Sequence, residues 1–323
     1  MKRIITASAL LAALVLALTA CAGTNTTTGT SGTGPHARQS ITVGAIPIVD
    51  VAPLYLGVDK GFFAEEGLDV KIETGQGGAA IIPGITSGTF QFAFSNITSV
   101  LLAQSKGLSL SVIAPGVFST SNPKSDFTGI LVRADSGITS AADLKGKKVA
   151  VNTLHNIADT TTRELISKAG GDPNSVEFIE LALPDMAGAV ERGQVDAAFS
   201  AEPFLTLSSS GTITTGIYPY SDLMKDFMPA AYFTSATYAS ENPETVSAFR
   251  AAIDKSLKYA QANPDEVRRI LQTYTAIPQE AANSLVLPTW STTLSTDSLE
   301  LINALATKDG LLKEKVDLDK LVK

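Results

Sequence analysis

The sequence of 323 residues predicts an α/β fold of two doubly wound lobes joined by a two-crossing hinge. From Ile41 onward, short β-rich runs alternate with helical stretches, the pattern of parallel βαβ units. The alternation then begins again with matched spacing, which points to a second lobe built like the first. Residues 41–323 are also more chain than one hydrophobic core usually organises.

The N-terminal segment precedes both lobes. Lys2 and Arg3 stand before an uncharged apolar run at 4–18, which reads as an export signal and is too short to span a bilayer comfortably. The run ends in Leu18-Thr19-Ala20-Cys21, similar to the lipobox of bacterial lipoproteins, where small residues admit a peptidase and the thiol takes a diacylglyceryl group. Residues 1–21 are therefore expected to be a signal peptide ending at an acylated Cys21. The protein is then extracytoplasmic and held to the cell membrane by that lipid. Cys21 is the single cysteine, so no intramolecular disulfide can form, and lipidation removes it as a nucleophile. Residues 22–40 are mostly Gly, Thr and Ser with hardly a hydrophobe and should form a flexible tether.

Lobe 1 is expected over 41–131 plus 231–323. Its strands are read at 41–46, 68–72, 90–94 and 110–117, and its helices at 53–66, 79–86 and 99–106. Lobe 2 is expected over 132–230, with strands at 149–152 and 176–181 and helices at 158–169 and 186–192. Two segments echo each other, Gly88-Thr-Phe-Gln-Phe-Ala-Phe-Ser95 and Gly193-Gln-Val-Asp-Ala-Ala-Phe-Ser200: Gly follows a helix, a buried strand comes next, and Ser stands where it ends. Upstream, Val43 to Val70 and Val149 to Val176 share one spacing, since 70 − 43 = 176 − 149 = 27. The chain returns through a strand-like run at 230–238 and ends in helices opening at Asn242-Pro243-Glu244 and Asn263-Pro264-Asp265. In both, Asn is a natural N-cap, Pro suits the first helical position and a carboxylate favours the first turn. Lobe 2 is then an insertion, with crossings near 132 and 230 as the hinge.

The net charge of −7, without any Lys/Arg cluster interleaved with aromatics, argues against nucleic acid as a partner. His36 falls in the tether and His155 is the other histidine, so neither a zinc site nor any other metal or cofactor is expected. Ser121-Asn-Pro-Lys124 matches Ser-x-x-Lys, but its Pro is a poor start for the helix that motif needs, and the companion motifs are missing. There is no Gly-x-Ser-x-Gly and no Gly-rich loop ending in Lys-Ser or Lys-Thr. A binding protein is expected rather than an enzyme.

The stretch Pro53-Leu-Tyr-Leu-Gly-Val-Asp-Lys-Gly-Phe-Phe-Ala-Glu-Glu-Gly-Leu-Asp-Val70 resembles the solute-binding proteins of nitrate, sulfonate, taurine and thiamine-precursor importers. Ser140-Ala-Ala-Asp-Leu-Lys-Gly-Lys-Lys-Val149 is similar to that family's entry into its second lobe, and Glu202-Pro203-Phe204 to its recurring Glu-Pro-Phe. The resemblance runs in consistent order over about 41–275. It implies the type II periplasmic-binding-protein fold and the role of the solute-binding subunit of an ABC importer. The implied partners are a small-molecule ligand, the permease and ATPase subunits, and the membrane through the lipid anchor, with the chain acting as a monomer. The family's enzymatic relatives, the cytosolic synthases of the thiamine pyrimidine, carry a cysteine cluster and a sacrificial histidine that this inventory lacks. A lipoprotein hydrolase and a sensory receptor subunit are the more distant alternatives.

In doubly wound sheets, ligands sit beyond the carboxyl ends of the strands. The loops there offer Asp50, Gln76, Gly77, Gly78, Ser95, Asn96 and Phe118 from lobe 1, and Asn152, Asn156, Asp185, Glu202 and Phe204 from lobe 2, as ligand-binding candidates. The run from Gly75 to Gly78 either lets backbone N–H groups approach a ligand oxygen at a helix start or is a tight turn. Ser95 and Asn96 either cap the next helix or face the ligand. Asp50, Asp185 and Glu202 either serve the framework or accept hydrogen bonds from the ligand. These loops hold carboxylates without Arg or Lys, whereas an inorganic anion would more readily take a cationic partner. The balance leans to a pyrimidine-like nitrogen heterocycle with N–H donors, stacked on Phe118 and Phe204; sulfonate, taurine or nitrate are the alternative solutes.

Overall fold

The computed structural model describes residues 38–208 and 211–322. The signal segment, Cys21 and the tether up to residue 37 lie outside the described residues. No described helix is long and apolar enough to cross a membrane.

Ten strands form two five-stranded sheets among the described residues. In chain order they are β1 (Gln39–Ala45), β2 (Leu68–Thr74), β3 (Phe92–Asn96), β4 (Leu110–Val117), β5 (Thr128–Arg133), β6 (Lys148–Val151), β7 (Glu177–Glu180), β8 (Ala197–Ala201), β9 (Ile213–Ile217) and β10 (Ala230–Ser235). The first sheet runs β2-β1-β3-β10-β4 and the second β7-β6-β8-β5-β9. The echo seen in the sequence is an echo of register: Val43 pairs with Phe92 in one sheet, and Val149 pairs with Ala197 in the other.

Both sheets are mixed rather than parallel. The returning strand β10 inserts antiparallel between β3 and β4, and β5 inserts antiparallel between β8 and β9. Neither β5 nor β9 is read as a strand from the sequence. The run that forms β5 straddles the expected boundary at 131/132, yet Gly129 pairs with Ser200 and all of β5 belongs to the second sheet. Its Ile130, Leu131 and Val132 are buried, which fixes that strand by packing rather than by local punctuation. The crossings between the sheets therefore run over 118–127 and 218–229.

Other boundaries move for local reasons. The stretch at 53–66 splits into helices Ala52–Asp59 and Phe62–Glu65 because Gly61 takes φ 76°, a left-handed conformation that favours glycine. β1 starts two residues inside the expected tether. The return strand stops at Ser235, whose hydroxyl accepts the Tyr238 N–H at 3.0 Å and caps helix Ala236–Glu241. Asn242 and Asn263 do precede helices Pro243–Ala262 and Pro264–Tyr274, but neither side chain caps the helix ahead of it. Each donates backward instead, Asn242 to the Tyr238 carbonyl at 3.2 Å and Asn263 to the Tyr259 carbonyl at 2.8 Å. They satisfy orphan carbonyls of the preceding helices.

Helix Pro243–Ala262 packs on the first sheet and on helix Ala52–Asp59. Phe249 stacks on Phe92 at 3.9 Å between ring centres and meets Phe63 at 5.5 Å. The two crossings are fastened to each other. The Ser119 N–H donates to the Phe227 carbonyl at 2.8 Å. The Ser121 hydroxyl donates to Asp226 Oδ1 at 2.9 Å and accepts the Asp226 N–H at 2.7 Å. The hydroxyl of the Ser-x-x-Lys match is thus engaged in a structural bond.

Candidate functional site

β1 runs out at Ala45, and the chain passes Ile46 and Ile48 into a short 3-10 turn, Val49–Val51, that leads into helix Ala52–Asp59. Pro53 in that helix's first turn has no N–H to satisfy there. This turn carries Asp50 into the space between the two sheets, where it is only 5 % exposed.

The cavity there has walls from both sheets. The first supplies Ile46, Ile48 and Asp50, with Phe94 and Asn96 from β3 and Pro229 and Ala230 at the start of β10. The second supplies Thr128 at the start of β5, Phe199 and Ala201 from β8, Asn152 beyond β6, and the stretch from Asn156 to Ala158, together with Leu183 and Tyr220. The space that no atom fills, including the mouth toward solvent, is about 490 Å³. The cavity volume proper is about 50 Å³, below the roughly 300–1,000 Å³ usual for small-molecule sites.

Asp50 is the single charged residue among those lining the cavity, and no Lys, Arg or His joins it there. Its Oδ1 has no hydrogen-bond partner, and neither does Thr128 Oγ1 on the facing wall. Burial pushes the Asp50 carboxyl up to about 7; its own backbone N–H opposes the rise, and the charge of Asp126 adds to it. Asp126 sits on the first crossing, where its Oδ1 accepts N–H bonds from Thr120 at 3.0 Å and Phe127 at 2.9 Å; burial raises its pKa too. Tyr220, Tyr232 and Tyr274 surround the same region, each with its phenol pushed up by burial and further by the Asp50 charge. A buried acceptor without a donor costs on the order of 1–3 kcal/mol, so a ligand bringing N–H or O–H groups relieves a cost built into the empty site.

A relay of amides links the two sheets beside the cavity. Asn156 caps helix Ile157–Lys168 by accepting the N–H groups of Ala158 at 3.0 Å and Asp159 at 3.3 Å. Its amide donates to Asn152 Oδ1 at 2.7 Å, and Asn152 Nδ2 donates to the Gln76 carbonyl at 2.8 Å, linking the second sheet's loop to the first's.

Of the residues singled out in the sequence, Asp50, Asn96, Asn152 and Asn156 line the cavity. Asn96 also caps helix Ile97–Ser105, accepting the Ser99 N–H at 2.9 Å. The others lie elsewhere. Gln76 is exposed and contributes only its carbonyl. Gly77 and Gly78 are places of close approach: a Cβ on Gly77 would come within 2.7 Å of Thr153, and one on Gly78 within 2.1 Å of Ser95 Oγ. Ser95 is fully buried, with its hydroxyl 3.4 Å from the Asn96 carbonyl. Phe118 is held in the core by a two-way backbone bridge to Thr289, and Asp185 is exposed in the first turn of helix Leu183–Glu191. Glu202 is buried but serves the framework, accepting from Thr206 N–H at 3.0 Å, Thr206 Oγ1 at 2.9 Å and Val286 N–H at 3.2 Å. Phe204 borders a separate groove with Pro47 and Tyr274. The aromatic faces on the cavity are instead Phe94, Phe199 and Tyr220.

Thr128 and Tyr220 are cavity residues that the sequence reading passes over. Both lie where the crossings meet the second sheet, beyond the loops that follow parallel strands. The signal available for Thr128 was the β-rich run at 128–133.

Residues 48–267 match the protein family described as NMT1/THI5 like. Over 223 residues the chain is 26% identical to the formylaminopyrimidine-binding protein of Halalkalibacterium halodurans, covering 68% of this chain and 65% of that one. Over 226 residues it is 25% identical to the 4-amino-5-hydroxymethyl-2-methylpyrimidine phosphate synthase of Aspergillus parasiticus, covering 66% and 64%. The chain thus spans slightly under two thirds of the length of each of these relatives. Among solved structures, the alkanesulfonate-binding protein SsuA of Xanthomonas axonopodis pv. citri bound to MOPS superposes with a TM-score of 0.75 at 18% identity, over 89% of this chain and 99% of that one. That likeness shows the fold, two mixed sheets with flanking helices as in periplasmic binding proteins.

Proposed function

Because the chain belongs to the NMT1/THI5-like family, we propose that it is the extracytoplasmic solute-binding subunit of an ABC importer, with a small pyrimidine-like nitrogen heterocycle as its solute. One observation carries the choice of solute: the charge on the cavity wall is a buried carboxylate with a free oxygen and no cation beside it. A sulfonate or nitrate would bring a second negative charge to Asp50 in a poorly solvated space, where like charges repel strongly. A heterocycle with N–H donors meets the unpaired acceptor and can lie against Phe199 or Tyr220. The name of the formylaminopyrimidine-binding relative agrees with this choice.

In this reading the two sheets act as lobes and the crossings at 118–127 and 218–229 as their hinge. A solute touching Asp50 on one side and Thr128 on the other favours the closed arrangement, because only differential contacts shift such an equilibrium. The closed form is what the permease and ATPase subunits receive. Cys21 carries the lipid that keeps a monomeric protein at the membrane, a role read from Leu18-Thr19-Ala20-Cys21.

A melting screen with 4-amino-5-hydroxymethyl-2-methylpyrimidine, taurine and nitrate tests the solute. A ligand at a hundred times its Kd stabilises by about 2.7 kcal/mol, a readily measured rise in Tm. A rise with taurine or nitrate and none with the pyrimidine overturns the heterocycle. Fractionating cells that express Cys21→Ser tests the anchor, since an unanchored protein leaves the membrane fraction.

A further inference from the structure

A buried carboxyl with a free oxygen and no cation to balance it recognises more than a generic N–H donor. We propose that Asp50 reads an amidine-like edge of the solute, a ring nitrogen flanked by an exocyclic amino group, and that the complex holds one proton between the Asp50 carboxyl and that ring nitrogen. The inference rests on the reading of the solute as a nitrogen heterocycle.

The geometry favours this edge. Asp50 Oδ1 is unpartnered on a wall without any other charge, and Thr128, whose Oγ1 is also unpartnered, lines the same cavity from the second sheet. A carboxyl meets an amidine edge with two hydrogen bonds: one oxygen accepts the amino N–H while the other shares a proton with the ring nitrogen. The Thr128 hydroxyl supplies a third point across the cavity. The solute thus carries its own counter-charge, which the protein does not provide. The groups facing Asp50 are the Asp126 carboxyl and the phenols of Tyr220, Tyr232 and Tyr274. No lysine, arginine or histidine lines the cavity among the described residues. No cation there competes with the solute for the carboxylate.

The proton balance follows. Below pH 7 the empty site already holds the proton on Asp50, which burial and the neighbouring Asp126 both favour. A neutral solute then binds with no net exchange. Above pH 7 the empty site is ionised, and forming the same complex takes one proton from solvent. The count is the same wherever the proton rests along the hydrogen bond. Below the ring nitrogen's own pKa the free solute is protonated and one proton must leave on binding, so affinity should be greatest between that pKa and pH 7 and fall about tenfold per pH unit well above pH 7.

Calorimetry in pairs of buffers with different ionisation enthalpies measures that proton directly, with 4-amino-5-hydroxymethyl-2-methylpyrimidine as the probe. The expected uptake approaches one at pH 8.5 and turns into release at low pH, where the free solute already carries a proton on its ring nitrogen. The des-amino compound, 5-hydroxymethyl-2-methylpyrimidine, should bind about tenfold more weakly or worse. Asp50→Ala should bind the amino compound about tenfold more weakly, whereas Asp50→Asn, whose amide offers a neutral amidine edge the same acceptor and donor as the protonated carboxyl, should still bind but take up no proton at pH 8.5. The proton count is taken on the parent protein, so it does not depend on any variant folding. No proton uptake by the parent at pH 8.5, equal binding of the des-amino compound, or full affinity in Asp50→Ala overturns the amidine reading while leaving the heterocycle in place. Binding of taurine or nitrate with no binding of either pyrimidine overturns the heterocycle itself, and the amidine with it.

Discussion

Two buried carboxylates, Asp50 and Glu202, sit at the junction of the two sheets and are handled in opposite ways. Glu202 has three framework donors on its oxygens, from Thr206 twice and from Val286. Asp50 has an oxygen with none and faces a cavity. Burial raises the pKa of both, and in Glu202 the hydrogen bonds counter the rise. Burial of an acid is therefore a poor guide to function. What separates a brace from a binding group is whether the fold has already spent the acceptor.

The comparison makes quantitative demands. Asp50 in the folded state keeps its proton up to about pH 7, against 3.8 in its ordinary state, so its contribution to stability is present at low pH and is lost as pH rises through 7. Asparagine does not titrate, so Asp50→Asn should gain on the parent by about 4 kcal/mol between pH 4 and pH 8. Denaturant melts at the two pH values measure this, and a constant offset would break the contrast. Glu202→Ala should cost about 3 kcal/mol at pH 7, because it strands the Thr206 and Val286 N–H groups. A loss near zero in the same melts would mean that Glu202 is no brace. The smallest effect is expected at the amide relay. Asn152→Ala removes two bonds, to the Gln76 carbonyl and from the Asn156 amide, and should lower stability by about 1 kcal/mol, with hydrogen exchange rising locally in the loops at 75–78 and 152–156.

Much of this architecture was legible in the sequence because local signals carried it. Strand β4 at Leu110–Val117 is an unbroken β-rich run, and Asn96 and Asn156 stand where helix caps are expected. The antiparallel strands β5 and β9 were not legible. What makes them strands is pairing with residues far along the chain, such as Gly129 with Ser200 and Leu131 with Thr215. The site divided along the same line. Asp50 follows directly from strand β1, and its place in the cleft could be inferred. The bracing of Glu202 depends on an N–H at Val286, 84 positions away, for which the sequence holds no local sign. For the glycine run the sequence left a ligand cradle and a tight turn both open, with no sign that Gly77 and Gly78 make room for Thr153 and Ser95, contacts that only the assembled chain brings together.

The bonds between the crossings set how the two sheets can move. Two independent linkers would allow bending, twisting and sliding. Here Ser119 is tied to Phe227 and Ser121 to Asp226, and both Ser121 and Asp226 sit in left-handed conformations, at φ 59° and 53°, that few other backbones share. Two ribbons stitched along their length resist shear and torsion and bend most easily about one line. In the proposed reading, Asp50 and Thr128 would then approach a solute chiefly by that one bend.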